Sequence, residues 1–374
     1  MFLSIRNQIS EEIKLLDRIT VEHNQSEFFF VLSSSTAPSE RAYIKYVLAP
    51  QTDYHPTDYS LYILKSHILN RENDIFQVYE REYNIRIGWI FPIQALLSNE
   101  HNYANNQHFL KYSYVAFFKL LQNVEQYETY KPNLNSTSNY ELTDFYGDEI
   151  IILILCNSKL QIVDSFNIEN YLTSLYSYGY YYCQPIDIVK NIHSRAAFTQ
   201  PGQTKISIKR ISKKLQEEVY LSRLFKILLK TEEHPLVRFY LLYQVIELII
   251  ERIFDKKFLD TINDFNHNQN KNIFELKEKI NSISNEKERI SQLIDSVEPY
   301  LNSDSKTNLL FFCNDLLSSF NSEHKDNLAR SLYAARSFIV HKFRKLPEVD
   351  VPKIDNINKE FETMLIDILL NYQE

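Results

Sequence analysis

Glycine is scarce in this chain, with 4 in 374 residues against a usual share of about 7%. Gly88, Gly147, Gly179 and Gly202 stand alone, and none sits in a GxGxxG or GxxxxGKS run. A phosphate-cradling loop of the P-loop or dinucleotide type therefore has nothing to be built from. Cysteine is equally sparse. Cys156, Cys183 and Cys313 lie far apart, giving neither a CxxC metal clip nor an even set for a disulfide framework, which suits a reducing compartment. The 10 histidines show no HxH or HExxH spacing, so no metal and no cofactor are expected. His55, His67, His101, His108 and His193 read as surface or loop residues. Long apolar runs are missing too. The longest, Ile150 to Cys156, falls far short of the ~18 residues a membrane span needs. The opening Met1-Phe-Leu-Ser-Ile-Arg6 lacks a basic stretch followed by an apolar core, and the expectation is a soluble cytoplasmic protein without membrane contact.

What is present is ample core material. The chain is 44% hydrophobic and carries 26 Tyr and 24 Phe, enough for two or three domains at ~150 residues each. Residues 1–203 hold 15 basic and 22 acidic groups, whereas residues 204–374 hold 26 of each. The whole net charge of -7 thus belongs to the first part, and two differently charged surfaces imply separate partners.

Short aromatic or β-branched runs mark the first part as a mixture of strands and helices. Glu27-Phe-Phe-Phe-Val-Leu32, Ala42-Tyr-Ile-Lys-Tyr-Val-Leu48, Tyr83-Asn-Ile-Arg-Ile-Gly-Trp-Ile90 and Glu149-Ile-Ile-Ile-Leu-Ile-Leu155 read as strands. Residues 107–126 and 168–177 read as helices, and Lys131 to Asn139 as an exposed polar loop. The tyrosine-rich run from Tyr171 to Cys183 could stack bases, yet in so aromatic a chain core filling is the expected role. A break at Thr199-Gln-Pro-Gly-Gln203 closes this α+β domain. Beyond it the periodicity is helical throughout, over residues 211–230, 235–254, 273–283, 286–297, 306–320, 323–343 and 354–372, with Asn263 to Asn270 as a connection. The fold class is therefore α+β, an N-terminal mixed domain followed by a C-terminal all-α bundle.

Two helices of the bundle carry candidate chemistry. Pro235 suits the first position of a helix that is apolar nearly all round and must be central or lie at a subunit interface. Gln244, Glu247 and Glu251 form one polar stripe on it. Either that stripe faces water, or Glu247 accepts from a cation on a neighbouring helix. Arg336 is the candidate cation. Helical rotation of ~100° per residue puts it near the middle of the face formed by Leu328, Leu332, Ala335, Ile339 and Phe343, where an unpaired guanidinium is very costly. Ala334 and Ala335 leave room for a second backbone, and His341-Lys-Phe-Arg-Lys345 places cations at the helix end.

The run Leu332-Tyr-Ala-Ala-Arg336-Ser-Phe-Ile-Val-His341 resembles the signature of HEPN domains, an Arg followed by His after four to six residues on a late helix. Arg238-Phe-Tyr-Leu-Leu-Tyr-Gln-Val-Ile-Glu247 resembles the early helix of HEPN domains in bacterial abortive-infection proteins. The resemblance covers residues 204–374. Arg18 and His23 share the same spacing, but they lack the surrounding context. Ser337 stands where the family commonly has Asn, Asp or His. Positions i and i+5 turn by ~140° and rise ~7.5 Å, so either the helix is distorted or the site is assembled from two protomers, as HEPN homodimers do across a cleft.

By this resemblance the protein is a toxic endoribonuclease of anti-phage defence, cleaving RNA without metal. His341 is the implied acid–base catalyst and Arg336 the phosphate clamp, supported by Ser337 and Glu247. Lys342, Arg344 and Lys345 are implied RNA contacts, and Lys205, Lys209, Arg210, Lys213 and Lys214 offer further positive charge. Implied partners are RNA, a second copy, and a phage-derived trigger or neutralising protein, with residues 1–203 sensing or restraining. The rival expectation is a non-catalytic HEPN module that binds RNA, nucleotide or protein as a scaffold.

Overall fold

A computed structural model describes residues 3–24, 27–51, 54–66, 73–130, 132–135, 138–189, 202–267 and 272–373. His67, His193 and the Thr199–Pro201 part of the expected break lie outside the described residues. The chain divides into two compact units, 1–209 and 210–374. The division falls six residues beyond the expected boundary, because 205–208 form a strand of the first unit.

The first unit holds three sheets. One joins β2 (Ile13–Leu15), β1 (Ser4–Arg6) and β9 (Leu134–Asn135). A second runs β10 (Asn139–Tyr140), β5 (Arg41–Tyr46), β4 (Glu27–Ser33) and β3 (Arg18–Asn24). The third orders β12 (Tyr181–Tyr182), β6 (Tyr59–Lys65), β11 (Ile150–Cys156), β8 (Ile85–Pro92), β7 (Phe76–Glu80) and β13 (Lys205–Ile208). The expected polar loop at Lys131 to Asn139 instead contributes two of these short strands, with Leu134 buried. Arg18 and His23 both lie on β3, so their HEPN-like spacing has no helix to act on.

β11 has core on both faces. Ile150, Ile152 and Ile154 join one apolar cluster, and Ile151, Leu153 and Leu155 the other, which is what period-two alternation does with an unbroken apolar run. Beside it, β8 carries a bulge opposite Val78 and Tyr79, and the extra residue turns Ile87 to the same cluster as Ile90. Only glycine fits at the next position, because a Cβ on Gly88 would sit 2.0 Å from the Ile154 carbonyl oxygen.

Helix α1 (Gln107–Gln122), capped by the Asn106 side chain, fills the space between two of these sheets. Tyr114 and Phe117 meet Phe30 and Tyr46 on one side, while Phe109 meets Trp89 and Phe91 on the other. The expected helix to residue 126 ends earlier, with a 3-10 turn over Val124–Gln126. Short helices α2 (Thr143–Tyr146), α3 (Asn157–Leu160) and α4 (Leu172–Ser177) complete the unit. Tyr171, Tyr176, Tyr180 and Tyr181 are all buried, so that aromatic run is core.

One histidine, His108, differs from expectation, and His101 is a loop residue that is turned inward. His101 is buried against the Ala95 carbonyl. His108 sits on α1, accepting from Trp89 Nε1 at 2.9 Å, with Arg86 at 2.6 Å on its other nitrogen.

The second unit is helical. Residues 211–230, expected as one helix, instead comprise a 3-10 turn, α5 (Val219–Arg223), a π turn (Leu224–Leu228) and α6 (Leu229–Thr231). Leu221, Phe225 and Leu229 are spaced by four and all buried, and the wider π turn keeps them on one face. α7 (Pro235–His267) runs 33 residues, through the expected connection at Asn263 to His267. α8 (Ile273–Ile283), α9 (Glu286–Val297), α10 (Ser303–Ser318), α11 (Leu328–Lys342) and α12 (Val351–Asn371) follow. Asparagine side chains cap α8, α9, α10 and α11, at Asn272, Asn285, Asn302 and Asn327. α11 begins five residues later than expected because Asn327 starts it. α7 packs against α8, α9 and α12, and α11 against α9 and α10. No described helix is long and apolar enough to cross a membrane.

A buried ion pair lies inside this bundle. Arg238 of α7 is fully buried and bonds Glu362 of α12 through Nε at 3.1 Å and a terminal nitrogen at 2.6 Å. Its other terminal nitrogen donates to the Leu229 and Glu232 carbonyls. Truncating Glu362→Ala leaves that guanidinium uncompensated and should cost about 3–5 kcal/mol, read from the urea midpoint of the full chain.

Acid should act on the first unit through His108, whose pKa burial and the neighbouring Arg86 and Lys111 charges push down to about 4. The unfolded chain takes up this proton near pH ~6.5 and the folded one does not. Stability should therefore fall between about pH 6.5 and 4, and His108→Gln should remove that part of the slope in pH-dependent thermal unfolding.

Candidate functional site

α11 is a regular helix through Lys342, followed by a 3-10 turn over Phe343–Lys345. Leu328, Ala329, Ser331, Leu332, Ala335 and Ile339 form its buried face. Arg336 lies on the flank of that face rather than at its middle, with 26% of its side chain exposed, because the face centres on Ala335 and Ile339. Across from it runs α7, where the apolar residues Val245, Ile246, Ile249 and Ile250 are buried and the polar stripe comes to the surface.

Both readings of that stripe hold in part. Gln244 and Glu251 are exposed, whereas Glu247 accepts from an Arg336 terminal nitrogen at 2.7 Å. The guanidinium also covers the Tyr243 ring, 5.4 Å from its centroid, and Tyr243 donates its hydroxyl to Glu286 of α9 at 2.9 Å. Burial works to lower the Arg336 pKa, but the Glu247 hydrogen bond and the nearby Glu286 charge outweigh it and hold the value above the ordinary range. Burial and the Glu286 charge push the Tyr243 hydroxyl well up. Arg336 is thus a fixed cation with an aromatic platform and a carboxylate already in place.

Glu247 also opens on a cleft of about 770 Å³ beside Glu218, Glu251 and Arg252. Arg252 pairs with Glu218 there.

His341 occupies a different direction. It is exposed on the last turn of α11 and makes no hydrogen bond or ion pair among the described residues. The undistorted helix separates it from Arg336 by ~140° and ~7.5 Å, which removes the helix-distortion alternative and leaves the two side chains apart within one chain. Ser337 lies on the His341 side, one turn before it, and lines a cavity between α9 and α11. Lys342, Arg344 and Lys345 are exposed at the same helix end, and Lys342 Nζ sits 4.4 Å from the Phe338 ring centroid. The basic residues expected to cluster ahead of the bundle divide between the units. Lys205 and Lys209 belong to the first, while Arg210, Lys213 and Lys214 belong to the second.

Other candidate chemistry is thin. Among the described residues no group of three or more His, Cys, Asp or Glu could hold a metal ion. Cys183 and Cys313 are buried and unlinked, Cys156 half-buried, and burial pushes the Cys313 thiol up to about 12, far from a nucleophilic range. The basic lining of the cavity beside Ser337 escaped sequence reading, because Lys287, His324, Lys325 and Arg330 come from three separate segments.

Partial exposure limits what the Arg336–Glu247 pair adds to folding. A double-mutant cycle with Arg336→Ala and Glu247→Ala should give a coupling of about 0.5–1 kcal/mol in denaturant unfolding. No family model, curated protein or solved structure matches this chain.

Proposed function

We propose that the C-terminal bundle is a metal-independent endoribonuclease of HEPN type, working as a toxic effector in bacterial anti-phage defence. The observation that carries this reading is the pairing of Arg336 with Glu247, 89 residues away, between the two segments that resemble the early and late HEPN helices. The pair holds a phosphate-binding group at the surface of α11, and an exposed imidazole follows on the same helix.

In this reading the RNA 2′-OH attacks the adjacent phosphorus, the 5′ oxygen of the next nucleotide leaves, and a 2′,3′-cyclic phosphate remains. His341 exchanges the proton, its ring nitrogens serving as acceptor and donor. Arg336 presents its fork of donors to the non-bridging oxygens, where negative charge develops. Glu247 and the Tyr243 ring orient that fork, and a phosphate displaces Glu247 from part of it. Because Arg336 and His341 point apart in one chain, the composite site takes its second half from another copy. Ser337 contributes a hydroxyl beside the imidazole, and Lys342, Arg344 and Lys345 contact the RNA backbone. The first unit senses a phage-derived trigger or restrains the bundle.

A second reading, a non-catalytic RNA- or protein-binding module, is favoured by one fact. Arg336 already has its charge and its ring platform satisfied inside the chain, as a structural residue would. Incubation with total RNA in EDTA separates the two. The ribonuclease reading expects cuts ending in cyclic phosphate, and a fall of about 100-fold or more in His341→Ala, with the oligomeric state unchanged. Cleavage retained in that variant rejects it.

A further inference from the structure

One turn before His341, α11 lines a cavity that Arg336 does not. A cavity of about 640 Å³ lies between the start of α9, the connection from α10 to α11, and α11 itself, within the size range of small-ligand sites. Lys287, His324, Lys325 and Arg330 line it against one carboxylate, Asp326. Asp326 approaches Arg330 only at 3.5 Å, with both side chains more than half exposed. So loose a pair contributes little and yields readily to an anion.

The basic rim is also held in place. Asn314 of α10 accepts from the Lys325 backbone N–H at 2.8 Å and donates to the Lys325 carbonyl at 3.0 Å. His324 Nε2 lies 2.9 Å from the Ser318 hydroxyl. The opposite wall is aromatic. Tyr333 carries Lys287 Nζ 5.0 Å from its ring centroid, and Phe338 stacks on Phe320 at 4.8 Å while holding Lys342 over its ring. Arg330, Ala334 and Ser337 line this groove, and His341 continues their stripe one turn, ~6 Å, beyond Ser337. Arg336 is turned toward α7.

We infer that this groove is the single-stranded RNA-binding site of the bundle, delivering the backbone along α11 to His341. The inference rests on the ribonuclease reading for the choice of RNA. Exposed cations for phosphates beside aromatic rings, onto which bases stack as the Lys287 and Lys342 ammonium groups turn to the phosphates, are the combination that single strands require. The groove serves each protomer by itself, so RNA binding needs no second copy even where cleavage does.

The test uses the full-length chain with His341→Ala, in EDTA, and a fluorescein-labelled single-stranded RNA of about 12 nucleotides, titrated by anisotropy from about 50 to 200 mM salt. Lys325→Glu with Arg330→Glu should weaken binding about tenfold or more. The slope of log affinity against log salt should become shallower by about 0.7 for each phosphate that the protein no longer neutralises. Lys359→Glu, exposed on α12, should stay within about threefold of the parent. The proposal is overturned if the groove reversals bind like Lys359→Glu. It is also overturned if the RNA does not bind and poly-glutamate binds through the same residues, which makes the groove a protein-docking surface. Cleavage by the unmutated chain is scored apart. Groove-dependent binding supports the groove whether or not the unmutated chain cleaves, whereas undiminished cleavage in the reversal variant overturns the groove and keeps the ribonuclease reading.

Discussion

Arg238 brings a positive charge into the centre of the bundle, and the helices around it are arranged so that the charge is answered. Its guanidinium reaches Glu362 on α12 and the carbonyls of Leu229 and Glu232 just before α7. One side chain thereby ties together the end of α6, the start of α7 and the middle of α12. Such a group is worth little as net stability compared with an apolar replacement, but it is costly to leave half-paired. It selects one packing of these helices, since any other would strand the charge.

That registration reaches the candidate site. Tyr243 and Glu247 follow Arg238 on the same helix, at five and nine residues. The depth and rotation of α7 therefore decide where the ring and the carboxylate meet Arg336. Phe361 extends the connection on the buried side, touching both Phe239 and Tyr243. A rigid apolar stack thus supports a half-exposed polar cluster, the usual relation between a scaffold and a site. The opposite side of α11 is built differently. Its groove depends on asparagine bonds to backbone and on exposed cations, features that bear binding more than folding.

The first unit rests on another constraint, an aromatic filling in which α1 is enclosed by sheets. Trp89 and His108 show how polar groups are managed there. The indole nitrogen donates to Nδ1 of an imidazole that burial keeps uncharged, so the buried indole N–H is paired.

Much of this was legible in the sequence because periodicity is local. The run at β11, the amphipathic patterns of α8, α9 and α12, and the proline that opens α7 need only neighbours along the chain to be recognised. The need of Arg336 for a carboxylate, and Glu247 as the candidate, followed from the cost of an unpaired guanidinium on an apolar helix. Other features depended on partners distant in sequence. β13 becomes a strand because β7 offers an edge to pair with, and β9 and β10 form inside a polar loop for the same reason. The flank position of Arg336, its separation from His341 and the basic groove from Lys287 to Arg330 were set by helix rotation and by which helices lie side by side. Local sequence determines which face of a helix is apolar, because that depends on spacing along one chain. Only the tertiary structure decides what stands opposite each face, because that depends on the packing of the whole bundle.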